Sequence, residues 1–198
     1  FGSDIKNEAR AYAAAASDAR MSGCELPVVI VTGSGNQGIT ASVPVIRYAK
    51  HIGASDERLY RALLVSDLVT IHQKTGIGRL SAYCGAVSAG CGAGAGIAYL
   101  LGGDYRAIAH TIVNAVAILS GTICDGAKPS CAAKIASAVE AGILGYYMYV
   151  NDQQFRGGDG IVAKGVENTI RNVGLLASQG MKQTDRVILN IMTGDQCL

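Results

Sequence analysis

The pattern of apolar and polar positions divides most of the chain into helices. Residues 55–74 place leucine, valine and isoleucine on or near one stripe with charged residues outside it, which is typical of an amphipathic helix. Alanine, which has the highest helix propensity, dominates residues 4–21, where Ser3 or Asp4 is a suitable N-cap. Apolar character predicts further helices over residues 80–103, 105–124, 132–150, 162–178 and 185–192.

One short segment has the character of a strand. Residues 26–32, LPVVIVT, are rich in β-branched side chains, and the second half of the chain lacks the alternation of a half-buried strand. The sequence therefore predicts an all-α fold with at most one or two short strands. We expect a single helical domain over residues 1–198, a compact bundle of buried glycine- and alanine-rich helices with glycine-rich loops.

The charge and composition of the chain restrict the kinds of partner that we expect it to bind. The net charge is +2 with 16% charged residues, and no cluster of lysine and arginine exceeds a dipeptide, which argues against nucleic acid and favours a small ligand. Residues 80–103 carry no charge and are long enough to span a bilayer, but their glycine, alanine and serine content favours a helix buried in the protein rather than in a membrane. Six cysteines are too few for a disulfide scaffold, so we expect a reducing cytoplasm.

The segment 33–38, GSGNQG, has the spacing of a dinucleotide-binding fingerprint, with Asp56 and Glu57 about twenty residues later. The residues before Asp56 carry no strand pattern, and Pro44 falls where the crossover helix should be regular, so NAD binding is disfavoured. Two interpretations stay open. The backbone N–H groups could bind a carboxylate at a helix start, with Asn36 and Gln37 as further donors, or the segment could be a tight turn with a helix cap.

Most of the candidate reactive residues lie close together in residues 121–134, GTICDGAKPSCAAK. Cys124 and Cys131 accompany Asp125 and Lys128 in a polar loop, which is an unusual place for two inert thiols, although buried structural thiols are the alternative. Cys84 has a similar glycine-rich setting further upstream.

A buried polar residue interrupts the helix before this loop. Asn114 lies in an otherwise apolar segment and must be hydrogen-bonded, either to serve a site or to tie two helices together.

Three motifs in this order, GSGNQGITASVP, LSAYCGAVSAGCGAGAGIAYLLGG and GTICDGAKPSCAAK, resemble the iron–sulfur L-serine dehydratase α-chain family. The branch with the strongest likeness contains the L-cysteine desulfidases and uncharacterised bacterial relatives. Family members are roughly twice as long, and the chain opens without methionine, so it resembles their C-terminal, cluster-bearing half. The expected partner is the N-terminal half of the enzyme or a separate chain that supplies it, and homo-oligomerisation stays open.

The resemblance implies a [4Fe–4S] cluster held by Cys84, Cys124 and Cys131, with one iron left open to the substrate. The implied reaction is α,β-elimination from L-cysteine, giving pyruvate, ammonia and sulfide, or from L-serine, giving pyruvate and ammonia. Cys197 is a candidate ligand for the fourth iron.

The resemblance also assigns substrate contacts. The glycine loop would bind the substrate carboxylate through Ser34, Gly35, Asn36 and Gln37, and Asn114 is a further candidate. Lys128 is a candidate base or carboxylate partner, and Asp125 would orient its neighbours.

Two other interpretations remain. The chain could be a cluster-bearing binding module that is inactive without an N-terminal half, or the same cysteines could form a zinc or disulfide site, since zinc also accepts thiolates.

Overall fold

The computed structural model describes residues 2–194, which form eight α-helices and one π-helical turn. The helices are α1 (Ile5–Met21), α2 (Gly35–His51), α3 (Asp56–Ile77), α4 (Gly85–Leu100), α5 (Tyr105–Leu119), α6 (Cys131–Val150), α7 (Val166–Leu175) and α8 (Lys182–Thr193), with the π-helical turn Leu176–Gly180 following α7. Extended pairing within residues 2–194 is limited to two isolated bridges, Val31 with Ser34 and Tyr83 with Ile123. The predicted all-α fold is confirmed.

The apolar segment before the glycine loop, a possible strand by its composition, is irregular in the structure. Val29 and Ile30 are 86% and 61% exposed, and the backbone of Val31 pairs only with Ser34, across a tight turn. A β-branched run forms a strand only when a neighbouring strand satisfies its N–H and C=O groups. The described residues supply no such neighbour, so the segment is irregular.

Helix α4 is the centre of the fold. It packs against α2, α3, α5 and α6, and every side chain from Val87 to Ala98 is buried. A helix surrounded by protein needs apolar or small side chains on all faces, which explains the absence of charge in this segment. Among residues 2–194, no helix is both long enough and apolar enough to span a bilayer.

Glycines bring α4 and α6 into backbone contact. A Cβ atom added to Gly90 would lie 2.3 Å from the carbonyl oxygen of Ala138, and one added to Gly142 would lie 2.2 Å from that of Gly90. Gly94 faces Gly142 in the same way. Because these neighbours are backbone atoms, no change of rotamer could make room for a larger residue. The distance between the two helices is therefore set by glycine.

The structure moves two helix ends away from their predicted positions. Helix α4 begins at Gly85 rather than at residue 80, and α5 ends at Leu119 rather than at residue 124. The freed segments pair with each other instead, since the Cys84 N–H donates to Thr122 (3.1 Å) and the Cys124 N–H donates to Ala82 (2.6 Å). This short antiparallel contact satisfies backbone groups that two longer helices would have left apart. It also brings Cys84 beside Cys124.

The last two helices differ from the prediction at their starts. Helix α7 begins at Val166 rather than at residue 162, and α8 begins at Lys182 rather than at residue 185. Helix α8 has no buried residue among those described, and it packs on the π-helical turn.

The glycine contact between α4 and α6 predicts a specific loss of stability. We expect Gly142→Ala to lower the free energy of unfolding by about 1–3 kcal/mol, because the new methyl group forces two backbones apart. Urea denaturation followed by circular dichroism measures the change. Gly121→Ala is the matched control, since a Cβ at Gly121 meets no atom within 4 Å. Equal stability of the two variants would contradict the proposed contact.

Candidate active site

The amino ends of three helices meet at one small cavity of about 80 Å³. The cavity is lined by the N-cap and first turn of α2 and of α4, by the first turns of α6 and by the loop before α6. The lining residues are Ser34, Asn36 and Gln37 at α2, Cys84, Gly85 and Ala86 at α4, Cys131, Lys134 and Ile135 in α6, and Cys124, Gly126 and Ala127 in the loop. The first N–H groups of a helix have no partner within the helix, and the helix dipole places partial positive charge there. The cavity is therefore suited to anions.

The structure brings the three predicted cysteines to this cavity. Cys84 is the N-cap of α4, and Cys131 is the first residue of α6. Cys124 reaches the same place because its backbone pairs with residue Ala82. All three are free thiols, and Cys84 and Cys131 lie at helix amino ends.

A hydrogen bond between Cys84 and Cys124 shifts the pKa values of the two thiols in opposite directions. The Cys84 thiol donates to Cys124, and this bond, with a further one from the Gly126 N–H and the charge of Lys134, lowers the pKa of Cys124 to about 6. The same hydrogen bond, together with burial, raises the pKa of Cys84 far above its ordinary value. At neutral pH the pair therefore holds one thiolate, on Cys124, and one thiol, on Cys84.

Asp125 binds one lysine of the loop, Lys128, and one lysine of α6, Lys134. Its carboxylate accepts hydrogen bonds from Lys128, at 2.6 Å, and from Lys134. These two bonds hold the pKa of Asp125 well below its usual range, so the carboxylate stays ionised. Within the described part of the chain, neither Asp125 nor Lys128 lines the cavity. The orienting role of Asp125 and the role of Lys128 as base or carboxylate partner stay predictions.

Lys134 is the cavity cation that sequence reasoning missed. Its ammonium group donates to the carbonyl oxygen of Ile123 at 3.0 Å and to Asp125, and its side chain lines the cavity. Residues three apart on a helix lie on the same face, and Lys134 follows Cys131 by three positions. That spacing was the available signal.

The side chains of the glycine loop are held by specific partners. Arg20 donates to the Asn36 side-chain oxygen at 3.0 Å, and the Thr32 hydroxyl is hydrogen-bonded to the Gln37 side-chain oxygen. Each amide oxygen is thereby occupied, which leaves the two NH₂ groups as donors. Gly35 begins α2, so its N–H is one of the unpaired donors of the first turn.

At two positions of the site, neighbouring side chains leave no room for any residue larger than glycine. A Cβ at Gly35 would lie 2.7 Å from the side chain of Arg20, and a Cβ at Gly85 would lie 2.2 Å from the Gln37 amide nitrogen. Gly85 therefore makes room for Gln37 at the cavity wall.

Asn114 connects neighbouring segments through hydrogen bonds and does not line the cavity. It is completely buried, donates to the Gly145 carbonyl oxygen at 3.0 Å and accepts from the Phe155 N–H at 3.0 Å. These bonds join α5 to α6 and to the loop that follows α6. Asn114 therefore ties helices together and is not among the residues that line the cavity, and its role in substrate binding stays a prediction.

Of the other three cysteines, two lie away from the cavity and one lies outside the described residues. Cys91 is buried in the core beneath Cys84, and Cys24 is exposed in the loop after α1. Cys197, the candidate fourth ligand, lies outside the described residues.

The three thiols at the cavity bear on the kind of metal group that could bind there. Within residues 2–194, no three His, Cys, Asp or Glu side chains are close enough together to bind one metal ion, as tetrahedral zinc requires. The thiolates that hold a [4Fe–4S] cluster bind different irons and need not converge on one point. Cysteines spread around one positively polarised cavity are the donor set that such a cluster takes. The residues present therefore fit the group.

The described residues form an all-helical protein in which three thiols and a lysine surround a cavity at helix amino ends. Comparison with known proteins shows the family of the chain. The sequence matches the family described as serine dehydratase alpha chain over residues 1–190, and the chain belongs to that family.

Three of the similar curated proteins are named as UPF0597 proteins. A UPF0597 protein of Desulfitobacterium hafniense is 69% identical over 197 residues, and UPF0597 proteins of Lachnoclostridium phytofermentans and Finegoldia magna are each 56% identical over 192 and 188 residues. The matches cover 95–100% of this chain but only 45–46% of each relative, so the chain spans about half the length of the proteins it matches. No solved structure matches.

The shared hydrogen bond predicts how Cys124 reacts with pH. In the reduced, metal-free protein, alkylation of Cys124 by iodoacetamide should have its midpoint at a pH of about 6, with a plateau above and a fall below, because only the thiolate reacts. Peptide mass spectrometry measures the rate at each cysteine. Cys91, whose pKa burial raises to about 12, is the internal control and should stay unlabelled across this range.

Cys84→Ala tests the cause of this acidity. Removing the donor destabilises the Cys124 thiolate, so the midpoint should move to higher pH. An unchanged midpoint in Cys84→Ala would show that the hydrogen bond does not set the reactivity of Cys124.

Proposed function

We propose that this chain is the cluster-bearing half of an iron–sulfur lyase that eliminates the β-substituent of L-cysteine or L-serine. The observation that carries the proposal is the meeting of Cys84, Cys124 and Cys131 at one cavity in a member of the serine dehydratase alpha chain family. Three thiols grouped where three helices present their amino ends need an anionic or metal-bound occupant, and an iron–sulfur cluster is both.

The three cysteines would hold a [4Fe–4S] cluster. When bound, the cluster supplies a Lewis acid that polarises the leaving thiol or hydroxyl of the substrate. Lys134 lies beside the sulfurs and offsets the negative charge of the thiolates, and Asp125 orients Lys134. Cys197 stays the candidate for a fourth ligand.

The start of α2 would bind the amino acid. The unpaired N–H groups of the first turn, including that of Gly35, are suited to the carboxylate. The Ser34 hydroxyl and the NH₂ groups of Asn36 and Gln37 line the cavity and can donate to the same end of the substrate.

The chemistry is an elimination followed by hydrolysis. Loss of the α-proton and of the β-thiol or β-hydroxyl forms an enamine, which tautomerises and takes up water to give pyruvate and ammonia. L-Cysteine releases hydrogen sulfide in the first step, and L-serine releases water. The free thiols of the site are stable in a reducing compartment, which favours the cytoplasm.

A second half is expected to complete the site. The chain spans 46% of its Desulfitobacterium relative, and exposed apolar side chains surround the outer side of the glycine loop, including Val29 and Leu80, which is 95% exposed. Exposed apolar patches mark interaction surfaces. The alternative function, a cluster-bearing module that is inactive alone, rests on the same observation.

Anaerobic reconstitution with iron and sulfide tests the cluster. We expect the wild-type protein to gain a broad visible absorption, and we expect Cys84→Ala, Cys124→Ala and Cys131→Ala each to lose it because each removes one thiolate ligand. Cys24→Ala is the matched control, since Cys24 is exposed and lies away from the cavity. Binding of stoichiometric zinc with no retained iron would refute the cluster.

Pyruvate release tests the reaction. The reconstituted protein is assayed anaerobically with L-cysteine and with L-serine, alone and after addition of the N-terminal half of the Desulfitobacterium relative. We expect pyruvate from at least one substrate in the presence of both halves, and loss of turnover in Cys131→Ala. Turnover that requires the added half identifies the chain as a module of a two-part enzyme. No pyruvate from either substrate with a full cluster would refute the lyase.

A further inference from the structure

A second, larger cavity adjoins the glycine loop on its other side. It measures about 750 Å³, and Thr32, Gly33, Lys74, Arg79 and Leu80 contribute to its lining. Ser34, the next residue of the loop, lines the cysteine cavity instead. The segment 32–34 is therefore the wall that the two cavities share.

Lys74 is the unusual residue of this larger cavity. Its side chain lies near the end of α3 and is only 6% exposed, yet it has no hydrogen-bond or ion-pair partner within residues 2–194. Lysine is almost never buried unless it is paired. Burial lowers the pKa of Lys74, while the nearby Cys124 and Cys84 raise it. The ammonium group thus lies within electrostatic reach of the cysteine site.

The wall between the cavities is conformationally strained. Thr32 has a φ of +52°, a left-handed conformation that is rare for a β-branched residue. Its hydroxyl is hydrogen-bonded to Gln37, which lines the cysteine cavity. Strain of this kind is held by surrounding structure and concentrates at functional sites.

The charges of the two lysines at the cysteine site are already balanced by a carboxylate. Lys128 and Lys134 both bind the carboxylate of Asp125, and Lys134 faces the thiolates. Asn36 and Gln37 provide only neutral donors. Arg20 donates to Asn36 and lines neither cavity, so a substrate carboxylate at the glycine loop would lack an unpaired lysine on the cysteine side of the loop.

We propose that Lys74 is the cation that binds the substrate carboxylate, at the wall where the larger cavity meets the first turn of α2. The proposal rests on the proposed function and deepens it, because it names the residue that recognises the charged end of the amino acid. The larger cavity is then the route by which the amino acid enters, with the exposed Arg79 at its lining and the β-substituent directed toward the cysteines.

Equilibrium binding tests the proposal without turnover. L-Serine and L-serinamide, which lacks the carboxylate, are titrated into the metal-free and the reconstituted protein by isothermal calorimetry. We expect wild type to prefer L-serine and Lys74→Met to lose about ten- to hundredfold of that preference, the size of a charge-assisted hydrogen bond. Lys74→Arg, which keeps the charge, should retain part of the preference. Lys50→Met, at an exposed lysine of α2, is the control and should bind as wild type does.

The outcomes separate this proposal from the proposed function. Loss of the carboxylate preference with full cluster absorption supports the role of Lys74. Loss of the cluster with an unchanged preference would make Lys74 a counter-ion of the cysteines and overturn the proposal. A wild-type protein that distinguishes L-serine from L-serinamide no better than Lys74→Met does would also overturn it, whether or not a cluster forms.

Protection of the wild-type lysine gives a second measurement in case the variants fail to fold. Reductive methylation of Lys74, followed by mass spectrometry, should be slowed by L-serine and not by L-serinamide. Equal labelling with both compounds, or no labelling in the absence of either, would contradict an accessible carboxylate site.

Discussion

The structure depends on the convergence of three helix amino ends on one cavity. Each end carries partial positive charge and unpaired N–H groups, so bringing α2, α4 and α6 together there is unfavourable unless negative charge lies between them. Cys124 supplies a thiolate at neutral pH, and Asp125 supplies a carboxylate behind it. A thiolate-bound cluster and an amino-acid carboxylate would add further negative charge where the fold presents donors. The same arrangement thus accounts for the proposed ligand preference, while the low pKa of Cys124 comes first from the hydrogen bond that Cys84 donates.

Local features of the sequence were sufficient to predict most of the helices, whereas the candidate cysteines were grouped only through resemblance. Alanine content, amphipathic stripes and an apolar glycine-rich segment identify most of the helices, and residues 131–150 form α6 almost as predicted. The cysteines were grouped through resemblance, and the structure brings Cys84, Cys124 and Cys131 to one cavity. Periodicity could not have placed Cys84 beside Cys124, because that proximity comes from a backbone pairing between residues forty positions apart.

Other parts of the site depend on tertiary contacts that no local pattern encodes. The apolar run before the glycine loop has strand propensity, but propensity is overridden when no partner strand is present. The sequence singled out Lys128 alone, yet Lys134 on the first turn of α6 lines the cavity, whereas Lys128 binds Asp125 and does not line it. Asn114 could have faced the site or a neighbouring helix, and only the packing of α5 on α6 decides between them.

The glycine contact between α4 and α6 has a mechanical consequence for the cysteines. Gly142 follows Cys131 by eleven residues, so the contact lies about 16 Å along α6 from that thiol at 1.5 Å per residue. Over such a lever, a rotation of about 5° at the crossing would move Cys131 by more than about 1 Å, a displacement that matters for ligand and substrate geometry. Two touching backbones resist that rotation more firmly than flexible side chains would. The alignment of the thiols is thereby set by a pivot deep in the core, remote from the chemistry it governs.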